Sequence, residues 1–185
     1  MQFIDLKSQY ESLKDKIDAR IQGVLDKGAY IMGPEVAEFE SKLSEFVGVK
    51  HAIACANGTD ALQLALMALG VKAGDAVFCP TFTFFATAEA IAFVGATPIF
   101  VDSDDRTFNI SIVDLESKIS EVQSKGILNP KAIIAVDLFG LPADYEKLEP
   151  LSKKHGLLLI EDAAQGLGGE ILGREAGAFA AIGTT

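Results

Sequence analysis

The sequence predicts an α/β fold, a mostly parallel sheet with helices on both faces and an N-terminal helical appendage. Three observations carry this. From His51 onward, short apolar runs alternate with amphipathic segments, the pattern of strand–helix units. Runs such as Ala132–Val136 and Leu157–Ile160 are apolar at consecutive positions, as in strands buried on both faces. The stretch before His51 shows helical spacing and no strand pattern.

Leu6, Tyr10, Leu13, Ile17, Ile21 and Val24 predict an amphipathic helix from about Ser8 to Lys27, with Gly28 as its cap. Pro34 suits the first turn of a second helix with the stripe Val36, Phe39, Leu43 and Phe46, stopped by Gly48. These two helices form the appendage, residues 1–47, and residues 48–185 form the large domain. Within it, His51–Ala56 reads as a strand, Asn57-Gly58-Thr59 as a turn and Asp60–Leu69 as a helix closed by Gly70. Ala76–Cys79 is a strand ended by Pro80, Thr87–Val94 a helix, Thr97–Val101 a strand and Ile112–Val122 a helix. Residues 131–136 form another buried strand. Asp144–His155 is a helix with Lys153, Lys154 and His155 in its last turn, where cations suit the dipole. Leu157–Ile160 is the next strand, and it runs into Glu161-Asp162-Ala163-Ala164-Gln165. Residues 168–177 read as a small hairpin, and Phe179–Ile182 opens a further apolar element. The chain stops at Thr185 inside that element, which predicts a fragment.

At 185 residues and 49% hydrophobic, the chain is long enough to bury a core. Its formal charge of -10 and the lack of any basic run argue against nucleic acid as a partner. No apolar run approaches a membrane span, and Met1–Asp5 lacks the basic start of a signal peptide, so a soluble cytoplasmic protein is expected. Cys55 and Cys79 lie in apolar surroundings without a metal-ligand spacing and are expected to be buried free thiols.

Three stretches at strand exits could carry chemistry. Asn57-Gly58-Thr59-Asp60-Ala61 hands a strand over to a helix, where free N–H groups and a hydroxyl favour an anion; an ordinary capped helix is the bland alternative. Pro80–Thr87 sets three phenylalanines among three threonines. One ring would cover a flat cofactor while the others pack inward, unless all three simply fill the core. Asp162 has three readings. As a ribose-binding acid it lacks an upstream G-x-G-x-x-G, and as a metal ligand it would have to join Asp102, Asp104 and Asp105, which read better as a turn and helix start. As the partner of a protonated ring nitrogen it needs burial and a nearby polar group, which Gln165 supplies. A carboxylate in that place holds a pyridine nitrogen charged, the condition for pyridoxal 5'-phosphate to act as an electron sink.

Gly33-Pro34-Glu35-Val36, Asn57–Leu62, Pro80–Phe84, Val101-Asp102, Asp137–Gly140 and Glu161–Gln165 occur in an order that resembles the DegT/DnrJ/EryC1/StrS aminotransferases. The resemblance covers essentially the whole chain. It implies the large domain of a fold-type I pyridoxal-phosphate transferase acting on nucleotide-linked keto-sugars in surface-polysaccharide, lipopolysaccharide or amino-sugar biosynthesis. Glutamate is the implied amino donor and a homodimer with shared active sites the implied assembly. Carried across by position, it implies that Thr59 and the backbone N–H of Asp60 hold the cofactor phosphate. Phe84 would stack on the pyridine ring, Asp162 would pair with its nitrogen, and Gln165 would reach its 3-hydroxyl. Asp137 stands where many relatives carry histidine, and Val136–Pro142 looks closest to members that aminate UDP-linked 3-keto hexuronic acids.

The family's Schiff-base lysine is expected just after Thr185, so no catalytic residue is assigned within the chain and the 185-residue piece is expected to be inactive alone. The small C-terminal domain is likewise absent, and no metal site is implied. Two other readings stay open: a pyridoxal-phosphate sugar dehydratase with histidine in place of that lysine, and a non-catalytic nucleotide-sugar sensor on the same scaffold.

Overall fold

The structure, a computed structural model, describes residues 4–185. The reading of the N-terminus as lacking a basic leader therefore falls partly outside the described residues. The chain divides into two compact units, one running up to Glu45 and taking in His51–Ala54, the other holding Phe46–Lys50 and Cys55–Thr185.

In the first unit, α1 (Leu6–Lys27) begins where the Asp5 carboxylate accepts the Ser8 N–H. It ends at Gly28 in the left-handed conformation (φ 65°) that glycine adopts without a Cβ penalty. The next helix, α2 (Pro34–Val47), starts on its proline as expected, and Arg20–Glu38 and Lys27–Glu35 ion pairs join the two. His51–Ala56 is not a strand. The Ala54 N–H donates to the Glu40 carboxylate, and no ladder partner exists for the segment among the described residues, so its apolar composition alone cannot make it extended sheet. Within it Ile53 is exposed, as is Cys55, which corrects the expectation of a buried thiol there.

The second unit follows the predicted alternation. It comprises α3 (Gly58–Ala68), β1 (Asp75–Pro80), α4 (Ala86–Phe93), β2 (Thr97–Val101), α5 (Ile112–Lys125) and β3 (Asn129–Val136). A single turn of 3-10 helix at Leu138–Gly140 leads to α6 (Tyr145–His155), β4 (Leu158–Asp162), the hairpin of β5 (Glu170–Ile171) and β6 (Arg174–Glu175), and β7 (Ile182–Thr184). Five strands form one sheet in the order β2-β1-β3-β4-β7, every pairing parallel. Side chains alternate across it. Phe78, Ile133, Ala135 and Leu159 face a core closed by α5 and α6, whereas Val77, Cys79, Ile134 and Ile160 face a core closed by α3 and α4. Full burial of a side chain such as Ile134 or Ile160 is worth about 1.5–3 kcal/mol. Cys79 is one of these inward residues, and burial pushes its thiol up to about 12, so it is an inert core group.

The strand order fixes where a ligand would go. The chain leaves β1 for β2 on one side and returns to β3 on the other, so the exits of β1 and β3 diverge. Ligands bind in such a crevice at the carboxyl ends of an open α/β sheet.

A candidate cofactor site at the carboxyl edge of the sheet

Asp162 is the last residue of β4, in register with Val136 of β3. Its side chain is 6% exposed and lies on the α3/α4 side of the sheet. Thr87, fully buried in the first turn of α4, donates its hydroxyl to Asp162 Oδ2 at 3.0 Å, and the Ala164 N–H donates to Oδ1 at 3.3 Å. Thr83 Oγ1 stands 3.0 Å from Thr87 Oγ1. Because the carboxylate can only accept, the hydroxyls run in one direction, Thr83 to Thr87 to Asp162. Burial pushes the Asp162 carboxyl above its ordinary range, the two hydrogen bonds hold it down, and neighbouring Asp137 pushes it up. A group balanced in this way gains by meeting a positive charge. In the sequence Thr87 closes the aromatic loop and opens a predicted helix, and neither place reveals that the first turn of α4 meets the end of β4.

At the start of α3, Asn57 is the N-cap, and its Oδ1 accepts the Asp60 N–H at 2.9 Å. The backbone N–H groups of Gly58 and Thr59 have no acceptor among the described residues, and the Thr59 hydroxyl has no partner there either. These three donors at a helix start suit a phosphate; the Asp60 N–H would serve one only in competition with the cap. A Cβ on Gly58 would lie 3.8 Å from the Thr185 carbonyl carbon. Thr185 Oγ1 in turn donates to the Ala163 carbonyl at 3.3 Å. The helix start and the loop after Asp162 are thus neighbours.

Gln165 is held by its oxygen: the Phe139 N–H donates to Oε1 at 2.9 Å, which leaves its amide NH2 as the donor free for a ligand. Phe139 adopts a left-handed conformation (φ 56°, ψ 22°), unusual for a residue with a Cβ, to present that N–H. The aromatic loop departs from expectation. Phe82, Phe84 and Phe85 are all exposed, and the inward positions are taken by the small residues Ala86 and Thr87. Phe84 is 74% exposed one turn before Thr87, whose N–H its carbonyl accepts. Phe82 instead meets Phe108 and Phe139, with ring centroids 5.9 and 6.1 Å away. Asp104, a candidate metal ligand in the sequence, spends Oδ1 on the Arg106 and Thr107 N–H groups, forming a turn.

Residues 11–185 match the model of the DegT/DnrJ/EryC1/StrS aminotransferase family. The chain belongs to this family. It is 50% identical over 174 residues to the UDP-2-acetamido-2-deoxy-3-oxo-D-glucuronate aminotransferase of Pseudomonas aeruginosa, covering 94% of this chain and 46% of that protein. A DegT DnrJ EryC1 StrS aminotransferase from Brucella abortus superposes with a TM-score of 0.97 at 52% identity, covering 99% of this chain and 49% of that one. DesV of S. venezuelae, solved in complex with a ketimine intermediate, superposes at 0.89 with 38% identity, covering 96% and 46%. The chain therefore spans about half the length of the relatives it matches. The α/β fold with its mostly parallel sheet is that of the family.

Proposed function

We propose that the protein is a pyridoxal 5'-phosphate-dependent aminotransferase that moves an amino group from glutamate to the 3-keto group of a UDP-linked hexuronic acid. The observation that carries this is the buried, doubly hydrogen-bonded Asp162 at the carboxyl edge of the sheet of a DegT-family chain, beside a helix start with unengaged donors. The substrate class is supported by the Pseudomonas relative, whose name specifies a 3-oxo-glucuronate.

The donor set fits the cofactor piece by piece. Gly58 and Thr59 N–H groups and the Thr59 hydroxyl would hold the phosphate, with Asp60 N–H joining if its cap opens. Asp162 would pair with the ring nitrogen, and the free amide of Gln165 would donate to the ring oxygen. Phe84, projecting into solvent from the exit of β1, would cover one ring face. When bound, the cofactor supplies an electron sink for cleavage of a bond at the amino-bearing carbon. The chain's own part is to keep Asp162 ionised and fixed, to bind the phosphate, and to orient the Gln165 amide. In the same reading residues 48–185 are the cofactor domain and residues 1–47 its appendage. The protein acts in the cytoplasm as a homodimer with shared active sites, a reading that rests on its family membership.

Asp162→Asn keeps the shape and removes the charge. An ion pair at close range in a partly screened site is worth about 4 kcal/mol, so turnover should fall by roughly two to three orders of magnitude while the fold stands. Transamination of a UDP-3-keto-hexuronate by the variant at near wild-type rate would overturn the assignment.

A further inference from the structure

Behind Asp162, on the opposite face of the sheet, lies a second pair of carboxyl groups that the proposed chemistry does not use. Asp137 follows β3 and Glu161 precedes Asp162 in β4; both are 0% exposed. Glu161 accepts hydrogen bonds on both oxygens, from the Gly177 N–H on Oε1 and from the Phe179 N–H on Oε2 at 2.7 Å. Asp137 uses only one: Oδ1 accepts the Ala143 N–H at 3.0 Å and the Tyr145 hydroxyl at 2.8 Å, while Oδ2 is buried with no donor among the described residues. A buried carboxylate oxygen without a donor is costly, and among the described residues no cation pairs with Asp137 to compensate. Arg174 stacks on the Phe179 ring and pairs with Glu149 and the Ala178 carbonyl. The titratable groups facing Asp137 are Tyr145 from α6 and Glu161 and Asp162 from β4; the loop after β4 brings only Gly166 against it, so closely that a Cβ there would lie 2.6 Å from Asp137 Cβ.

We propose that Asp137 is a positioning residue held as a neutral carboxylic acid, its Oδ2 proton donated to the Glu161 carboxylate. Asp162 is then spared a second negative charge in direct reach, and the loop carrying Gln165 is seated on an uncharged group. The proton satisfies the one orphaned oxygen and turns two repelling carboxylates into a hydrogen-bonded acid–carboxylate pair. The β3–β4 register pairs Ala135 with Glu161, which sets Asp137, two residues on, at the same face of the sheet beside Glu161; burial and Glu161 together raise the Asp137 carboxyl to about 7. Ionisation of Asp137 would push Asp162 up and add a second negative charge beside it, and so strengthen its hold on a protonated ring nitrogen; the neutral acid sets that hold at its weaker, pH-dependent level. This functional half rests on the cofactor reading above; the neutral acid does not.

The test has two arms. Infrared spectra of the protein with 13C-labelled aspartate should show a protonated-carboxyl C=O band at pH 6 that disappears on alkalinisation through about 7 and is missing in Asp137→Asn. That variant keeps a neutral donor toward Glu161 and acceptors for Ala143 and Tyr145, and should fold. The second arm titrates pyridoxal 5'-phosphate into wild type and Asp137→Asn across the same pH range. The ratio of wild-type to variant dissociation constants should fall by roughly fivefold to tenfold from pH 6 to pH 9, one unit of pKa coupling being a factor of ten. Absence of an aspartate carboxyl band at pH 6 overturns the neutral acid, and a ratio flat with pH overturns its action on Asp162. Failure of both proteins to bind the cofactor while the band persists would instead remove the cofactor reading and, with it, the functional half.

Discussion

Thr87→Val isolates the hydroxyl relay beneath Asp162. Valine has nearly the shape of threonine, and the site is fully buried, so no cavity opens; the change removes the donor to Asp162 and, with it, the acceptor of the Thr83 hydroxyl. The lost bond runs from Thr87 Oγ1 to Asp162 Oδ2 at 3.0 Å. Hydrogen bonds to charged groups contribute about 1.5–3 kcal/mol, and Asp162 would keep only the longer one from Ala164. Because burial already raises the Asp162 carboxyl and the Thr87 bond is the main influence lowering it, the variant should raise it further. The sign over pH follows. A carboxyl raised in the folded state makes its full contribution below its unfolded value and loses it as pH rises through the folded one. The penalty of Thr87→Val should therefore be largest near pH 8, about 1.5–3 kcal/mol, and should shrink on acidification as Asp162 takes up its proton. Urea unfolding of wild type and variant at several pH values measures this. Thr87→Ser serves as the control: it keeps the hydroxyl, loses one methyl, and should cost about 1 kcal/mol at every pH. A Thr87→Val penalty under about 0.5 kcal/mol near pH 8, or one that does not vary with pH, would refute the relay.

Two further variants probe the edges of the site. Asn57→Ala removes the cap of α3 and should destabilise the unliganded protein by about 1 kcal/mol; because it also frees the Asp60 N–H, added pyridoxal 5'-phosphate should recover part of that loss, and an unchanged increment of stabilisation by cofactor would count against a phosphate at this helix start. Gly183→Ala would set a Cβ 2.3 Å from the Gly177 carbonyl oxygen, a backbone clash that β7 cannot relieve without moving the residue whose N–H holds Glu161. A loss of about 2–3 kcal/mol or more in thermal or urea unfolding is expected, and near-neutral stability would show that the strand relaxes.

The sheet was largely legible because burial on both faces leaves an unmistakable trace. Strands β1, β3 and β4 were placed within one or two positions because their consecutive apolar residues are buried on both faces; Thr97–Val101 was placed to the residue although β2 is an edge strand with Phe100 exposed. The same rule misled at His51–Ala56, where the apolar run was real but no strand lay alongside to accept its hydrogen bonds. Asp162 was legible as a site residue because a carboxylate that ends a buried strand has few other reasons to be there. The Asp60 N–H was placed at the helix start, but that Asn57 already occupies it depends on a side-chain rotamer that no spacing encodes. Phe84 was expected to cover a ring while its neighbours filled the core, yet all three phenylalanines face outward. The turn at the exit of β1 sets their direction, and the threonines and alanine between them, not the rings, supply the inward contacts.

Consecutive residues of a strand point to opposite faces, and Glu161 and Asp162 put that alternation to use. Were both carboxylates on one face, their repulsion would have to be met by a cation, a metal or a shared proton; on opposite faces each gets its own surroundings. Glu161 is enclosed by backbone N–H groups and by Asp137, and these bonds tie β4 to the segment leading into β7. Asp162 meets hydroxyls from α4 and the open edge of the sheet. The first carboxylate has its hydrogen-bonding capacity met within the protein and can serve as a fixed part of the frame, whereas the second keeps unspent affinity for a positive charge. Mutation of either should therefore separate two effects: loss of Glu161 should register first in stability and only through it in cofactor affinity, and loss of Asp162 should register in turnover with the sheet intact.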